Sequence, residues 1–364
     1  MYSEVLRIIE GGMSRDTKKV FSYSKLLAEK LQKDGDSKMS KMIVDTVERR
    51  YASTVTLDEL SATPVDQESR LSIVDMYPPT KETVPLVLQP TLENRIESFV
   101  KMIMHQSELL SKGVEIRCSL MLYGVPGCGK TTIAKYISQK AKLPLVVARF
   151  DALVSSLLGS TAKNIRKVFE YAEKRPCILF LDEFDAIAKA RNDIHEMGEL
   201  KRVINSLIQN IDNFPSQSVL IAATNHPELL DKAIWRRFNT VLEIGLPNTE
   251  TIEKLLNVFI GDFPNSILDD NKKKQKVAQL LSSKSPSAIE TIINNAKAKS
   301  ILEGDSILKY ESILIEIFEF DRHDSESEET LIGYLYDNGI SQSEIAETLK
   351  LSLRKIKNHL KKTN

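Results

Sequence analysis

The run Gly124-Val125-Pro126-Gly127-Cys128-Gly129-Lys130-Thr131 constrains this chain more than any other feature. It fits G-x-x-x-x-G-K-[ST], follows the apolar stretch Ser119–Tyr123 and opens a helical stretch. The residue types have a physical reason. Glycines let backbone N–H groups wrap a β-phosphate, and the N-terminus of the following helix favours an anion. Lys130 reaches the β- and γ-phosphates, and the Thr131 hydroxyl is a ligand for Mg²⁺. The expected nucleotide-binding set is Gly124, Pro126, Gly127, Cys128, Gly129, Lys130, Thr131 and Thr132, with ATP and Mg²⁺ as the bound groups. Cys128 has two readings: a small filler residue, or a thiol activated at a helix N-terminus and open to oxidation.

Such a loop implies a parallel sheet. The strand candidates are Ser119–Tyr123, Leu145–Ala148, Cys177–Leu181 and Val219–Ala223. All are short and apolar on both faces, as buried parallel strands are, with amphipathic helical stretches between them. The fold class expected is α/β, a P-loop sheet followed by an α-helical lid, with small helical units at either end.

Three further signals fall on or after these strands. Ile178-Leu179-Phe180-Leu181 ends in Asp182 and Glu183, which places two acids at the carboxyl edge of the sheet where ligands bind. Asp182 would hold Mg²⁺ through water, and Glu183 would polarise an attacking water; the plainer reading is helix capping. Asn225 follows the strand Val219–Ala223 and could orient that water, or serve as a turn residue. Arg236 and Arg237 follow a short helix, either as a solvated basic face or as arginines that stabilise transition-state charge.

In this order, over about 115 residues, the signals resemble the AAA ATPases, nearest to the FtsH, katanin and spastin group. The similarity covers about 95–303. Gly124 to Thr132 resemble Walker A, with Cys128 where many members have Thr, and Asp182 and Glu183 resemble Walker B. Asn225 resembles sensor 1. Arg237 resembles the second arginine of R-P-G-R-F, and Arg236 the first if the Pro-Gly between them is deleted. Ser285-Pro286-Ser287-Ala288-Ile289-Glu290 resembles the lid segment S-G-A-D-I-E, departing from it at Pro286 and Ala288. Leu157, Leu158 and Gly159 fall where the family has its pore loop, with Leu157 in the place of an aromatic; the plain alternative is a helix end capped by Gly159.

The resemblance implies an ATPase that works as a homo-oligomer, a hexameric ring, with arginines supplied in trans and a protein client. This sequence has neither H-E-x-x-H nor G-x-S-x-G, so any proteolysis would need a separate protease. The chain also resembles small bacterial AAA proteins encoded beside a subtilisin-like serine protease, which implies a serine protease as that partner.

The expected organisation is an N-terminal helical domain at 1–60, a proline-bearing linker at 61–90, an α/β subdomain at 91–246, a helical lid at 247–322 and a C-terminal unit at 326–364. Within the first, helices are expected from about Ser14 to Lys33 and from Ser37 to Tyr51, with Met39, Met42, Ile43 and Val47 on one stripe. In the last, Ser341-Gln342-Ser343-Glu344 reads as a capping box. The apolar spacing beyond it resembles the helix-turn-helix of LuxR-type regulators and sigma factors, with Lys350 in place of the turn glycine. Arg354, Lys355 and Lys357 are then candidate DNA contacts, with Lys361 and Lys362 further along. The alternative is a helical pair that docks a protein. This leaves two functions: a protein-remodelling motor, and a DNA-bound regulator.

Composition excludes other classes. Lys+Arg and Asp+Glu are 50 each, so overall charge selects no polyanion partner. Cys118, Cys128 and Cys177 form no metal-binding pattern and fit a cytoplasmic location. No run approaches the roughly 18 apolar residues of a membrane span, so no membrane partner is expected.

Overall fold

The computed structural model describes residues 5–6, 8–9, 17–33, 35–43, 64, 72–79, 85–148, 158–185, 197–322 and 328–363. The chain divides into two compact units, Met1–Pro64 and Val65–Asn364.

In the first unit, α1 (Thr17–Lys33) and α2 (37–43) flank a turn at 35–36. Asp36 Oδ1 accepts the Met39 N–H at 3.1 Å and so starts α2. Leu27 and Ala28 are buried, whereas Met39 and Met42 are exposed. Val47 and the rest of the expected second helix lie outside the described residues.

The second unit is built on six strands: β1 (Val74–Tyr77), β2 (Cys118–Gly124), β3 (Leu145–Ala148), β4 (Ile178–Leu181), β5 (Val219–Thr224) and β6 (Thr240–Ile244). Their order is β1-β3-β4-β5-β2-β6. β1 runs antiparallel to β3 and every other pair is parallel. Every residue of β4 and β5 is buried, because helices cover both faces of the sheet.

On one face lie α3 (Pro90–Met104) and α5 (Lys130–Ala141), which bury Phe99, Val100, Ile133 and Ile137 against Leu120, Leu122, Phe180 and Ile221. On the other lie α6 (Leu158–Glu173), α7 (Met197–Asn213) and the one-turn α8 (Lys232–Trp235), with Phe169, Leu207, Ile211 and Ile234 against Leu179, Leu220 and Ala222. The short α4 (Gln106–Ser111) extends α3.

The lid comprises α9 (Thr249–Ile260), α10 (Asn271–Leu280), α11 (Pro286–Leu302) and α12 (Tyr310–Asp321). Three more helices follow: α13 (Glu328–Asp337), α14 (Gln342–Thr348) and α15 (Leu353–Thr363). The capping box at Ser341 and Glu344 is present at α14. Ile332, Leu335, Ile345, Ile356 and Leu360 share one buried cluster with Ile313, Ile317 and Ile292, and Tyr310 Oη donates to Asn338 O at 3.2 Å. The C-terminal helices thus complete the lid's core.

The sheet has two strands beyond the four expected. β1 lies inside the stretch expected as a linker, and β6 supplies the opposite edge. Proline-flanked residues can pair at a sheet edge, where one row of backbone groups needs no partner.

Candidate nucleotide site

β2 delivers the phosphate-binding loop. Gly124 has φ +139°, and a Cβ there would lie 2.1 Å from Ile244 O, so a side chain would force β2 and β6 apart. Beyond the loop, α5 begins at Lys130. The Lys130 ammonium is buried and donates to Gly124 O at 2.8 Å and Val125 O at 3.0 Å. Burial lowers its pKa from the ordinary lysine value, opposed by the nearby carboxylates of Asp182 and Asp185. Cys128 is 4% exposed and burial raises its thiol pKa. That disfavours the reactive thiolate and favours the filler reading.

Thr131 Oγ1 donates to Asp182 Oδ2 at 2.8 Å. A hydroxyl and a carboxylate side by side, next to a phosphate-binding loop, form a hard-oxygen set that fits Mg²⁺. Glu183 follows in a left-handed conformation with φ +51°. That geometry costs a non-glycine residue about 1–3 kcal/mol and is held only where surroundings enforce it. Here the Glu183 N–H donates to Asp182 Oδ1 at 2.9 Å, and the Phe184 N–H donates to Ala223 O at 2.9 Å. Phe184 is fully buried and meets Phe238 edge-on at 6.4 Å between ring centroids. The turn therefore aims the Glu183 carboxylate out of the sheet while its neighbours are pinned.

Asp185 was not legible as a site residue. It is 1% exposed, and its Oδ1 accepts from Thr224 Oγ1 at 3.0 Å and from the Asn225 N–H at 3.2 Å. One buried carboxylate thus ties the Glu183 turn to the end of β5 and fixes Asn225 beside it. The signal available was a third acid two residues beyond Glu183.

These groups converge on a cavity of about 520 Å³ lined by residues 126–132, Asp182, Glu183 and Asn225. Its far wall is apolar: Leu86, Val87 and Leu88 from the stretch before α3, and Leu255, Val258 and Phe259 from α9. A planar, weakly polar ring fits such a slot. The lid closes on the loop directly, for the Ser287 N–H donates to Gly127 O at 3.1 Å. A Cβ on Gly127 would lie 2.7 Å from Ser285 Oγ. Ser285 caps α11 by accepting the Ala288 N–H, and Pro286 takes the first helical turn, where it needs no N–H partner. The two departures from the family's lid pattern are therefore accommodated by the cap itself.

The arginine pair sits elsewhere. Ser119 Oγ donates to Arg237 O at 3.1 Å, and the Asn239 N–H donates to Ser119 Oγ at 3.0 Å. Arg237 therefore lies where β2 begins, while the phosphate loop lies where β2 ends. Five residue steps along the strand carry the chain from Ser119 to Gly124, about 17 Å at strand rise. Arg236 is exposed, and Arg237 is held by Asp212 of α7.

Leu157 lies outside the described residues, and the backbone of Leu158 and Gly159 opens α6. In the C-terminal helices, Lys350 has φ +56° between α14 and α15. Arg354 and Lys357 are exposed, whereas Lys355 Nζ pairs with Glu328 Oε1 at 2.6 Å.

Residues 120–246 match the model of the ATPase family associated with various cellular activities (AAA). The chain carries an ATPase domain of the AAA family. This AAA domain has relatives across long evolutionary distances. An uncharacterized AAA family ATPase of Sinorhizobium fredii is 41% identical over 197 residues, 54% of this chain and 60% of the relative. The peroxisomal ATPase PEX6 of Saccharomyces cerevisiae is 32% identical over 196 residues, 52% of this chain and 19% of that one. An ATP-dependent zinc metalloprotease, FtsH 2, of Bdellovibrio bacteriovorus is 30% identical over 237 residues, 61% of this chain and 38% of that one. The chain thus spans less than two thirds of each relative's length. Among the described residues, no helix is long and apolar enough to cross a membrane.

Proposed function

We propose that this chain hydrolyses MgATP at the interfaces of a homo-hexameric ring and uses the cycle to remodel a protein client. One observation carries the reading. The residues able to bind phosphate and activate water gather at the carboxyl edge of the sheet, and the arginine pair lies at the opposite edge of the same protomer. A guanidinium placed there serves a neighbour's nucleotide, not its own.

In this reading Lys130 and the loop N–H groups hold the β- and γ-phosphates. Thr131 and Asp182 would hold Mg²⁺, which would supply positive charge against the negative charge of the phosphates. Glu183 accepts a proton from the attacking water, and Asn225, held by Asp185, orients that water. The neighbour's arginine meets the charge that develops on the γ-phosphoryl oxygens. ADP and phosphate are the products.

One relative is named an ATP-dependent zinc metalloprotease, which supports a client of protein. Leu157 to Gly159 would grip it, and any proteolysis would fall to a separate serine protease. The test is turnover of MgATP by the full chain with and without an added unfolded protein. Wild type is expected to turn over and to accelerate severalfold when the unfolded protein is present. Leu157→Ala is expected to keep the basal rate and lose the acceleration. No turnover by wild type contradicts the ATPase reading; an undiminished acceleration in Leu157→Ala contradicts the grip.

A second reading adds duplex DNA as a partner of α14 and α15. It is favoured by the left-handed turn at Lys350 and by the exposed Arg354, Lys357 and Lys361 opposite the buried Ile356 and Leu360. Labelled duplex, followed by fluorescence anisotropy across a salt series, tests it. Changing Arg354, Lys355 and Lys357 together to Ala is expected to abolish binding without altering ATP turnover. Removing a single basic side chain that meets a phosphate should flatten the log–log salt slope by about one unit. A flat signal from the wild-type chain at low salt removes DNA and leaves protein docking.

A further inference from the structure

α15 has one side in the core and one side in solvent. Ile356 and Leu360 are buried with the lid's apolar residues. Arg354 and Asn358 each stand two residues from Ile356, which at 3.6 residues per turn is about 160° round the helix. Both are exposed. Lys357 and Lys361, also exposed, lie on one flank of that outward line. Lys355 and His359 lie on the other flank, against α13. Lys355 Nζ pairs with Glu328 Oε1 at 2.6 Å, and His359 Nδ1 lies 3.9 Å from Glu329 Oε2.

The carboxylates nearest this face are turned to other groups. Glu328 and Glu329 meet the α13 flank, and α15 itself carries no acidic residue. Glu344 Oε2 accepts the Ser341 N–H at 2.9 Å. Glu347 lies near Lys309, whose pKa it helps to raise. The outward face is therefore cationic, with an amide among its charges, and complements a polyanion. Neutralising phosphate needs only lysine and arginine. Arg and Asn together are the side chains that read bases in the major groove. Arg takes guanine O6 and N7, and Asn takes adenine N6 and N7, each by a two-point contact. Arg354 and Asn358 are four residues apart, about 6 Å along the helix axis. Base pairs stack about 3.4 Å apart, so the two side chains match bases two steps apart.

We propose that Arg354 and Asn358 read a guanine and an adenine about two base pairs apart in the major groove of duplex DNA. This rests on the reading of α14 and α15 as a duplex-binding pair. Both readers stand in the first half of α15, where a recognition helix meets base edges. Lys357 and Lys361 meet phosphates beside the groove. Lys355 is directed to α13 by Glu328 and is not a reader.

The test uses the full chain and a pool of duplexes randomised over a central segment. Bound duplexes are recovered and sequenced, and single duplexes are then titrated by fluorescence anisotropy. Wild type is expected to enrich a guanine and an adenine at this spacing. Replacing the adenine–thymine pair in an enriched duplex is expected to weaken binding by about 5- to 150-fold, the range for one bidentate base contact. Asn358→Ala is the deciding variant, because it removes no charge. It is expected to keep the wild-type salt slope and the guanine preference and to lose the adenine preference. Asn358 is exposed, so the variant is expected to melt like wild type. Lys355→Ala is expected to keep both preferences. Lys361→Ala is expected to weaken every duplex alike and to flatten the log–log salt slope by about one unit. The proposal is overturned if wild type binds all duplexes equally, or if the adenine preference survives Asn358→Ala. In either case duplex binding itself still stands. If wild type binds no duplex at low salt, the duplex reading fails and takes the proposal with it.

Discussion

Glu183→Gln is expected to leave ATP bound and nearly unhydrolysed. The backbone of Glu183 is set by groups the substitution does not touch: its own N–H on Asp182, the Phe184 N–H on Ala223 O, and Phe184 buried against Phe238. Glutamine has the same shape and adopts the same turn. What disappears is the carboxylate proposed to take the proton from the attacking water. A positioned general base contributes about 10²–10⁴-fold, so turnover should fall by that order while Lys130, Thr131 and Asp182 still hold the nucleotide. Lys130→Ala is the contrast. It removes the buried ammonium proposed to serve the β- and γ-phosphates, and nucleotide binding itself should be lost. Equilibrium binding of labelled ATP, beside a phosphate-release assay, separates the two outcomes. Normal turnover in Glu183→Gln would contradict the role assigned to this turn.

How much of this was legible in the sequence depends on what each residue needs in order to be recognised. β2, β3, β4 and β5 were readable because strands covered on both faces are continuous apolar runs. β6 alternates, with Leu242 and Ile244 buried and Glu243 exposed, and carries too little hydrophobic signal in five residues. β1 has a single buried residue, Val74, and sits among prolines that otherwise mark a linker. The same prolines hid the stretch 85–88, which lines the cavity although it forms neither helix nor strand.

Among the site residues, Lys130, Thr131, Asp182, Glu183 and Asn225 were legible from spacing, and the fold brings all five to one cavity. Asp185 was not, because no local pattern distinguishes an exposed acid from one buried under Thr224. The arginine pair gives the plainest case of what sequence omits. Arg236 and Arg237 are chemically identical, and only the fold shows that Arg237 is held by Asp212, 25 residues away along the chain, and by Ala233 O, while Arg236 is exposed.

If the phosphate loop of one subunit and the arginines of another form one catalytic unit, mixing two inactive variants should restore turnover. Lys130→Ala subunits cannot hold nucleotide but retain both arginines. Subunits with Arg236→Ala and Arg237→Ala together hold nucleotide but offer no guanidinium, so the test does not depend on which arginine is the finger. Because the two groups lie at opposite edges of the sheet in one protomer, neither variant can correct itself. In a mixed assembly, a Lys130→Ala subunit supplies arginines to a nucleotide held by its partner. ATP turnover is therefore expected to rise from near zero in either pure variant to a substantial fraction of wild type at intermediate ratios. No recovery at any ratio, in assemblies shown by cross-linking to contain both variants, would contradict the account.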